Sequence, residues 1–241
     1  MKKYDLIREG KLFRIIALKD FGFIKKGELG GLIEKESNLS QKNECWIHEN
    51  ASVTGNALVY ENASVTGNAE IYGNAKVTGN AKVIGNAQVS GDALVSGDAS
   101  VSGNALVYGN AQVSGDALVS GNAKVIGNAE VTGNAYVSGN ALVSGDAEIY
   151  GNAKVTGNAK VRGDAYVSGN AEATKEVITF GNIFDYDITI TDNHIKIGCQ
   201  QYLKSRWLEF TNKEILEMDG KRALKFWGLF KPFAINMGFF N

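Results

Sequence analysis

Over residues 50–171 one six-residue unit, Asn/Asp-Ala-x-Val/Ile-x-Gly, recurs without insertion or deletion, and alanine keeps its slot in every copy. A short fixed period makes each unit bury its apolar side chains against neighbouring units, so the chain grows as a rod. Within Asn80-Ala81-Lys82-Val83-Ile84-Gly85, Ala81 and Val83 alternate with Lys82 and Ile84, the period-two pattern of a short strand with one buried face. The Gly-Asn or Gly-Asp step that follows marks a corner. Glycine accepts positive φ without strain, and Asn and Asp tolerate it better than other side chains. Short strand, corner and repeat predict an all-β solenoid filled by alanine and by valine or isoleucine. Each buried valine contributes about 1.5–3 kcal/mol, which offsets much of the entropy of ordering a long thin body.

Charge is balanced, with 25 basic and 26 acidic residues and a net charge of −1, so no electrostatic footprint for nucleic acid or an anionic membrane is expected. Residues 1–12 carry lysines but no apolar run of signal-peptide length, and no segment approaches the roughly 20 apolar residues of a membrane span. A cytoplasmic protein is the expectation. The 2 cysteines, Cys45 and Cys199, are too few for a disulfide framework or a thiolate metal site.

The ends depart from the repeat. Residues 1–43 mix a strand-like run over residues 13–18 with a Gly30-Gly31 turn, and read as an N-terminal cap plugged by Phe21, Phe23 and Leu32. The repeat domain is placed at residues 44–173, where Cys45 and Ile47 take the Ala and Val slots of a degenerate first unit. Ala173 stands where valine belongs, and beyond it Phe, Trp and Ile replace the hexad. Residues 187–191 and 194–199 read as a hairpin across Asp192-Asn193, with Ile188 and Ile190 facing Ile195 and Ile197. Thr211 with Glu214 forms a capping box for a helix toward Met218. Asp219-Gly220 ends it, and a second helix carries Leu224, Trp227 and Phe230 until Pro232 stops it. Residues 174–241 are thus a small α+β capping and interaction domain. A cap at each end covers backbone that would otherwise recruit further strands, and predicts a discrete particle.

The spacing of Val83 to Ala87, an aliphatic residue followed four positions later by a small one and repeated down the run, resembles the hexapeptide-repeat left-handed parallel β-helices. That resemblance implies three hexads per triangular coil and a left-handed path. It also implies about seven coils between residues 44 and 169, on the order of 34 Å at roughly 4.8 Å per rung. Ile15-Ile16-Ala17-Leu18-Lys19-Asp20-Phe21, Gly30-Gly31-Leu32-Ile33, Asn38-Leu39-Ser40 and Cys45-Trp46-Ile47 resemble the N-terminal segment of a bacterial and phage group of hexapeptide-repeat proteins. That group has no firmly established common activity.

In the threefold register the resemblance implies, one face displays Tyr72, Leu106, Tyr108, Ile126 and Leu142 and is the most apolar of the three. A second face carries Leu58, Tyr60, Leu94, Tyr150 and Tyr166. The third is mainly Ser, Thr and Lys. Its hydroxyl row from Thr66 through Ser102, Ser120, Ser138 and Thr156 to Thr174 is broken by Ile84, which argues against an ice-binding face. In the family, an apolar face meets two more copies of the chain, so a homotrimer is expected.

Acyltransferases of this fold use a wall histidine and a loop that breaks the coils. Here the only histidines are His48 and His194, and no loop interrupts the repeat. His48 is the one candidate base for an acyl- or acetyltransferase, with acetyl-CoA as its donor. The γ-class carbonic anhydrases need three histidines, more than this chain has. The register also stacks Asp98 on Asp116 and Asp146 on Asp164, pairs that lack the further oxygens of a calcium site. No metal and no cofactor are therefore expected. The leading expectation is a non-enzymatic scaffold, phage- or prophage-encoded by the resemblance of its N-terminal segment. It would bind a host macromolecule through the C-terminal domain, where Trp207, Phe210, Trp227 and Phe230 are the candidate contacts.

Overall fold

Each hexad folds as one short strand and one corner, and the strand pairs with the strand three hexads away. Leu94 and Val95 lie in parallel register with Gln112 and Val113, and Leu118 and Val119 with Tyr136 and Val137. The structure, a computed structural model, describes residues 2–183 and 186–240. Because every third hexad falls on the same side, the strands form three parallel walls, and the corner residues repeat at a separation of 18. The 8-stranded wall from Trp46–Ile47 to Glu172–Ala173 sets about eight turns. This is more than the perfect repeat suggested, because the strands Leu29–Ile33 and Glu172–Ala173 each add a rung beyond it. Ala105, Val107, Ala111 and Val113 are representative of the interior, each at 0% exposure.

The corners differ from expectation in one respect. Within the repeat the glycine slot carries the positive φ, as at Gly103 (72°) and Gly109 (81°), or at Glu61 (59°) where that slot lacks glycine, and the Asn and Asp that follow it do not. A Cβ on Gly103 would stand 2.9 Å from the carbonyl oxygen of Gly121 in the next coil, so the column stacks glycine on glycine. The neighbouring asparagines instead link coils through their side chains. Nδ2 of Asn86 donates to Oδ1 of Asn104, which donates to Asn122, which donates to Asn140, at 3.0–3.1 Å. Aspartate accepts such a bond but has no N–H to pass on. Asn80 donates to Asp98 at 2.8 Å and Asn128 to Asp146 at 2.8 Å, and each of those ladders halts at the acid.

The N-terminal cap is built largely from the residues that carry the second resemblance. Tyr4–Glu9 pairs antiparallel with Leu12–Ala17, which pairs with Leu29–Ile33, which runs parallel to Ser52–Val53 and so closes onto the first coil. Gly30 and Gly31 are required by that approach. A Cβ on either would meet the carbonyl oxygen of Ile47 at 2.5 Å or of Ala51 at 2.4 Å. Asn38 is fully buried and donates to the carbonyls of Gly55 and Ala57 at 3.1 and 2.8 Å, turning end-of-rod backbone into paired backbone. Trp46 is buried beneath Phe21 and Tyr4 in edge contacts of 5.3 and 6.2 Å. Lys3, 1% exposed, donates from Nζ to the Cys45 carbonyl at 2.9 Å and sits 3.2 Å from Cys45 Sγ. Phe23 does not plug the coil. The bridge between Phe21 and Ile24 turns it outward, and it is 99% exposed.

At the other end the anticipated hairpin is present, with Ile188 opposite Ile197 and Ile190 opposite Ile195. It is the centre of a 4-stranded antiparallel sheet flanked by Ile178–Ile183 and Gln200–Leu203. Its turn closes the rod: Asn193 Oδ1 accepts from the Glu172 backbone N–H at 2.8 Å, and Asp192 Oδ2 from that of Thr174 at 2.7 Å. Gln201 adds two bonds to Ser168. A short helix, Lys204–Glu209, leads into a long one, Asn212–Asn236, opened by the Thr211–Glu214 capping box. The long helix is kinked where Asp219 and Gly220 leave helical geometry. Pro232 does not stop it. The proline costs one main-chain bond, and burial of Phe230 and Ala234 on either side carries the helix through to Asn236.

Candidate functional surfaces

The parallel register brings the five residues of the apolar face together. Tyr72, Ser90, Tyr108 and Ile126 follow one another in one column, Tyr108 directly beside Ile126, while Leu106 and Leu142 flank Lys124 in the adjacent column. Tyr72 and Tyr108 are 40% and 43% exposed, and Leu106, Ile126 and Leu142 are half-buried. Inward side chains are consumed by the core, so these outward positions carry whatever surface specificity the rod possesses.

The second face is modified at its C-terminal end. Tyr150 and Tyr166 meet edge to face at 4.6 Å, and Lys196 of the end sheet places its ammonium 2.9 Å from the centre of the Tyr166 ring. Burial, with a hydrogen bond to Tyr150, raises the Tyr166 phenol above its ordinary value.

His48 lies on the wall carrying Thr66 and Ile84, at the seam between cap and first coil. Its backbone N–H donates to Val65 at 2.8 Å. Burial lowers its pKa, with Glu28 and Glu49 opposing, and among the described residues its ring makes no hydrogen bond to a carboxylate. His194 is likewise lowered by burial, and its Nδ1 lies 2.9 Å from Asn193 Oδ1 within the capping turn. The two histidines stand at opposite ends of the rod. Asp98 and Asp116 occupy successive coils as the register requires, and so do Asp146 and Asp164. Among the described residues no group of three or more His, Cys, Asp or Glu is arranged to hold a metal ion.

Trp207, Phe210, Trp227 and Phe230 form the core of the C-terminal unit at 2%, 8%, 4% and 0% exposure, packed on Ile195 and Ile197. Trp207 donates Nε1–H to the Ile195 carbonyl at 2.7 Å. Trp207, Phe210 and Trp227 line cavities, whereas Phe230 is wholly enclosed. A cavity of about 300 Å³ lies between the end sheet and the kinked helix, bounded by Tyr186, Trp207, Phe226 and Trp227, with Asp219 at its rim. A second, of about 610 Å³, runs along the helix beside Phe210, Trp227 and Ile235. Helical periodicity placed Trp227 and Phe230 on one amphipathic segment, but not the gap beneath them, which depends on how the kink seats the helix on the sheet. The exposed apolar residues of this unit include Leu229, Phe233, Ile235 and Met237, which sequence reading did not single out. Among the described residues no helix is long and apolar enough to cross a membrane.

A family model described as the YdcK beta solenoid repeat matches residues 87–102 and 111–127, so the middle of the rod is similar to that repeat. No curated protein matches the chain.

Proposed function

We propose that this chain is a non-catalytic β-solenoid scaffold whose copies join, as a homotrimer, through the wall bearing Tyr72, Leu106, Tyr108, Ile126 and Leu142. The observation that carries this reading is the convergence of those side chains on one wall of the coils, whose other outward positions between Ser52 and Arg162 are polar. A rigid wall presents apolar side chains at little entropic cost, because its backbone is already ordered. The C-terminal unit, with Leu229, Phe233, Ile235 and Met237 exposed, is the part we assign to a further macromolecular partner. The resemblance of the N-terminal segment supports a phage- or prophage-encoded chain acting on a host factor in the cytoplasm, without membrane or nucleic acid. An acyltransferase using His48 and acetyl-CoA finds no support in a histidine half-buried under the cap whose ring, among the described residues, makes no hydrogen bond to a carboxylate.

Light scattering tests the assembly. The native chain is expected at trimer mass, and Tyr108→Glu with Ile126→Glu at monomer mass with an unchanged β signal. A native chain that stays monomeric at high concentration overturns the reading.

A further inference from the structure

We infer that the cavity between the end sheet and the kinked helix binds a small organic ammonium ion through an aromatic cage with a carboxylate at its mouth. The aromatic side chains of Tyr186, Trp207, Phe226 and Trp227 form part of the lining of this cavity of about 300 Å³, the lower end of ligand-sized pockets. Four aromatic rings around one space are suited to a cation with apolar substituents. The ring faces attract the charge, and the walls cover the alkyl groups as a hydrated metal ion would not allow.

The carboxylate gives the cavity its sign. Asp219 leaves helical geometry at φ −153° and ψ 41°, and this kink sets its side chain at the rim. It accepts a hydrogen bond from Tyr186 Oη at 2.5 Å and, among the described residues, forms no ion pair, so the carboxylate retains acceptor positions for a ligand. Arg222, which stacks on the Tyr186 ring at 4.9 Å, is not part of the wall. The remaining wall is aliphatic apart from Gln200 and the exposed thiol of Cys199, and neither supplies a positive charge that would favour an anion. An anionic mouth on an aromatic interior selects cation over neutral and neutral over anion.

The chain carries its own reporter. Of its 3 tryptophans, Trp207 and Trp227 line the cavity, and Trp46 is buried in the cap at the other end of the rod. Titration of the full chain with benzyltrimethylammonium is expected to change tryptophan emission saturably. Benzyl alcohol is expected to bind more weakly and phenylacetate more weakly still. Asp219→Asn, an exposed change that keeps an acceptor for Tyr186, is expected to weaken the cation about threefold or more while leaving benzyl alcohol unaffected. Ala223→Phe, which fills the cavity from its helical wall, is expected to abolish the response to all three. The inference is overturned if the cation gives no saturable change at millimolar concentration, or if Asp219→Asn, with an unchanged melting temperature, binds it as tightly as the native chain.

Discussion

Replacing Gly103 with alanine, and Gly163 with alanine as its control, separates two reasons for a glycine at every corner. Both residues are left-handed, with φ of 72° and 62°. They differ in what a new methyl group would meet. At Gly103 it would lie 2.9 Å from the carbonyl oxygen and 3.0 Å from the nitrogen of Gly121, whereas at Gly163, the last of its column, nothing lies within 4 Å. The shared conformational penalty is about 1–2 kcal/mol for an L-residue in this region, part of which a stiffer unfolded chain gives back. Only Gly103→Ala must also push two rungs apart. The obstructing atoms are backbone held by hydrogen bonds on both sides, and overpacking of this kind costs about 1–3 kcal/mol. Gly163→Ala should therefore destabilise by about 1 kcal/mol and Gly103→Ala by about 2–4 kcal/mol. Urea unfolding followed by far-UV circular dichroism measures both, with midpoints compared directly because stacked repeats need not unfold in one step. Equal losses for the two variants would refute the stacking argument and leave only conformational preference. Glu61 shows how the native chain admits a side chain at this slot. At φ 59° its carboxylate accepts the Gly79 N–H at 2.7 Å and the Thr78 hydroxyl at 2.9 Å, bonds that offset the crowding. Glu61→Ala should therefore be less stable than Glu61→Gly.

Two further expectations follow from the corners and the caps. His48 and His194 both have pKa values lowered by burial, so the unfolded chain binds more protons than the folded one as pH falls below the ordinary histidine value of about 6.5. Their contribution is present above that pH and lost below it. The melting temperature should drop between about pH 7 and pH 5, and His48→Gln should flatten the drop; a variant with the native slope would remove the cap histidine from the account. Asp98→Asn with Asp116→Asn should restore donors where the ladder from Asn80 now halts, raising the melting temperature at low salt, with a gain of about 0.5–1 kcal/mol per new bond that shrinks as salt screens the acids. An unchanged melting temperature at every salt concentration would show that the ladders do not contribute.

The rod was legible because a strict period makes sequence distance and spatial neighbourhood the same thing. Once Ala and Val recur every six residues, their burial and the face of each outward residue follow, and Tyr108 beside Ile126 needed no more than the register. The ends were less legible, because their contacts join residues with no periodic relation. Asp192 and Asn193 announce a hairpin turn, but their capping of Glu172 and Thr174 depends on where the end sheet docks. Phe23 looked like a plug and faces solvent, because apolarity does not say which way a tight turn points a side chain.

By itself, then, the sequence determined a solenoid rod with an aliphatic interior, a glycine corner and a cap at each end. Local pattern dictates these when every unit has the same neighbours. Tertiary structure decided that glycines stack with no room for a methyl group, and that asparagines carry the bonds between corners. It also decided that Trp207, Phe210, Trp227 and Phe230 are core around a cavity. Each of these depends on distances of a few tenths of an ångström between chain segments, and a linear pattern does not encode them.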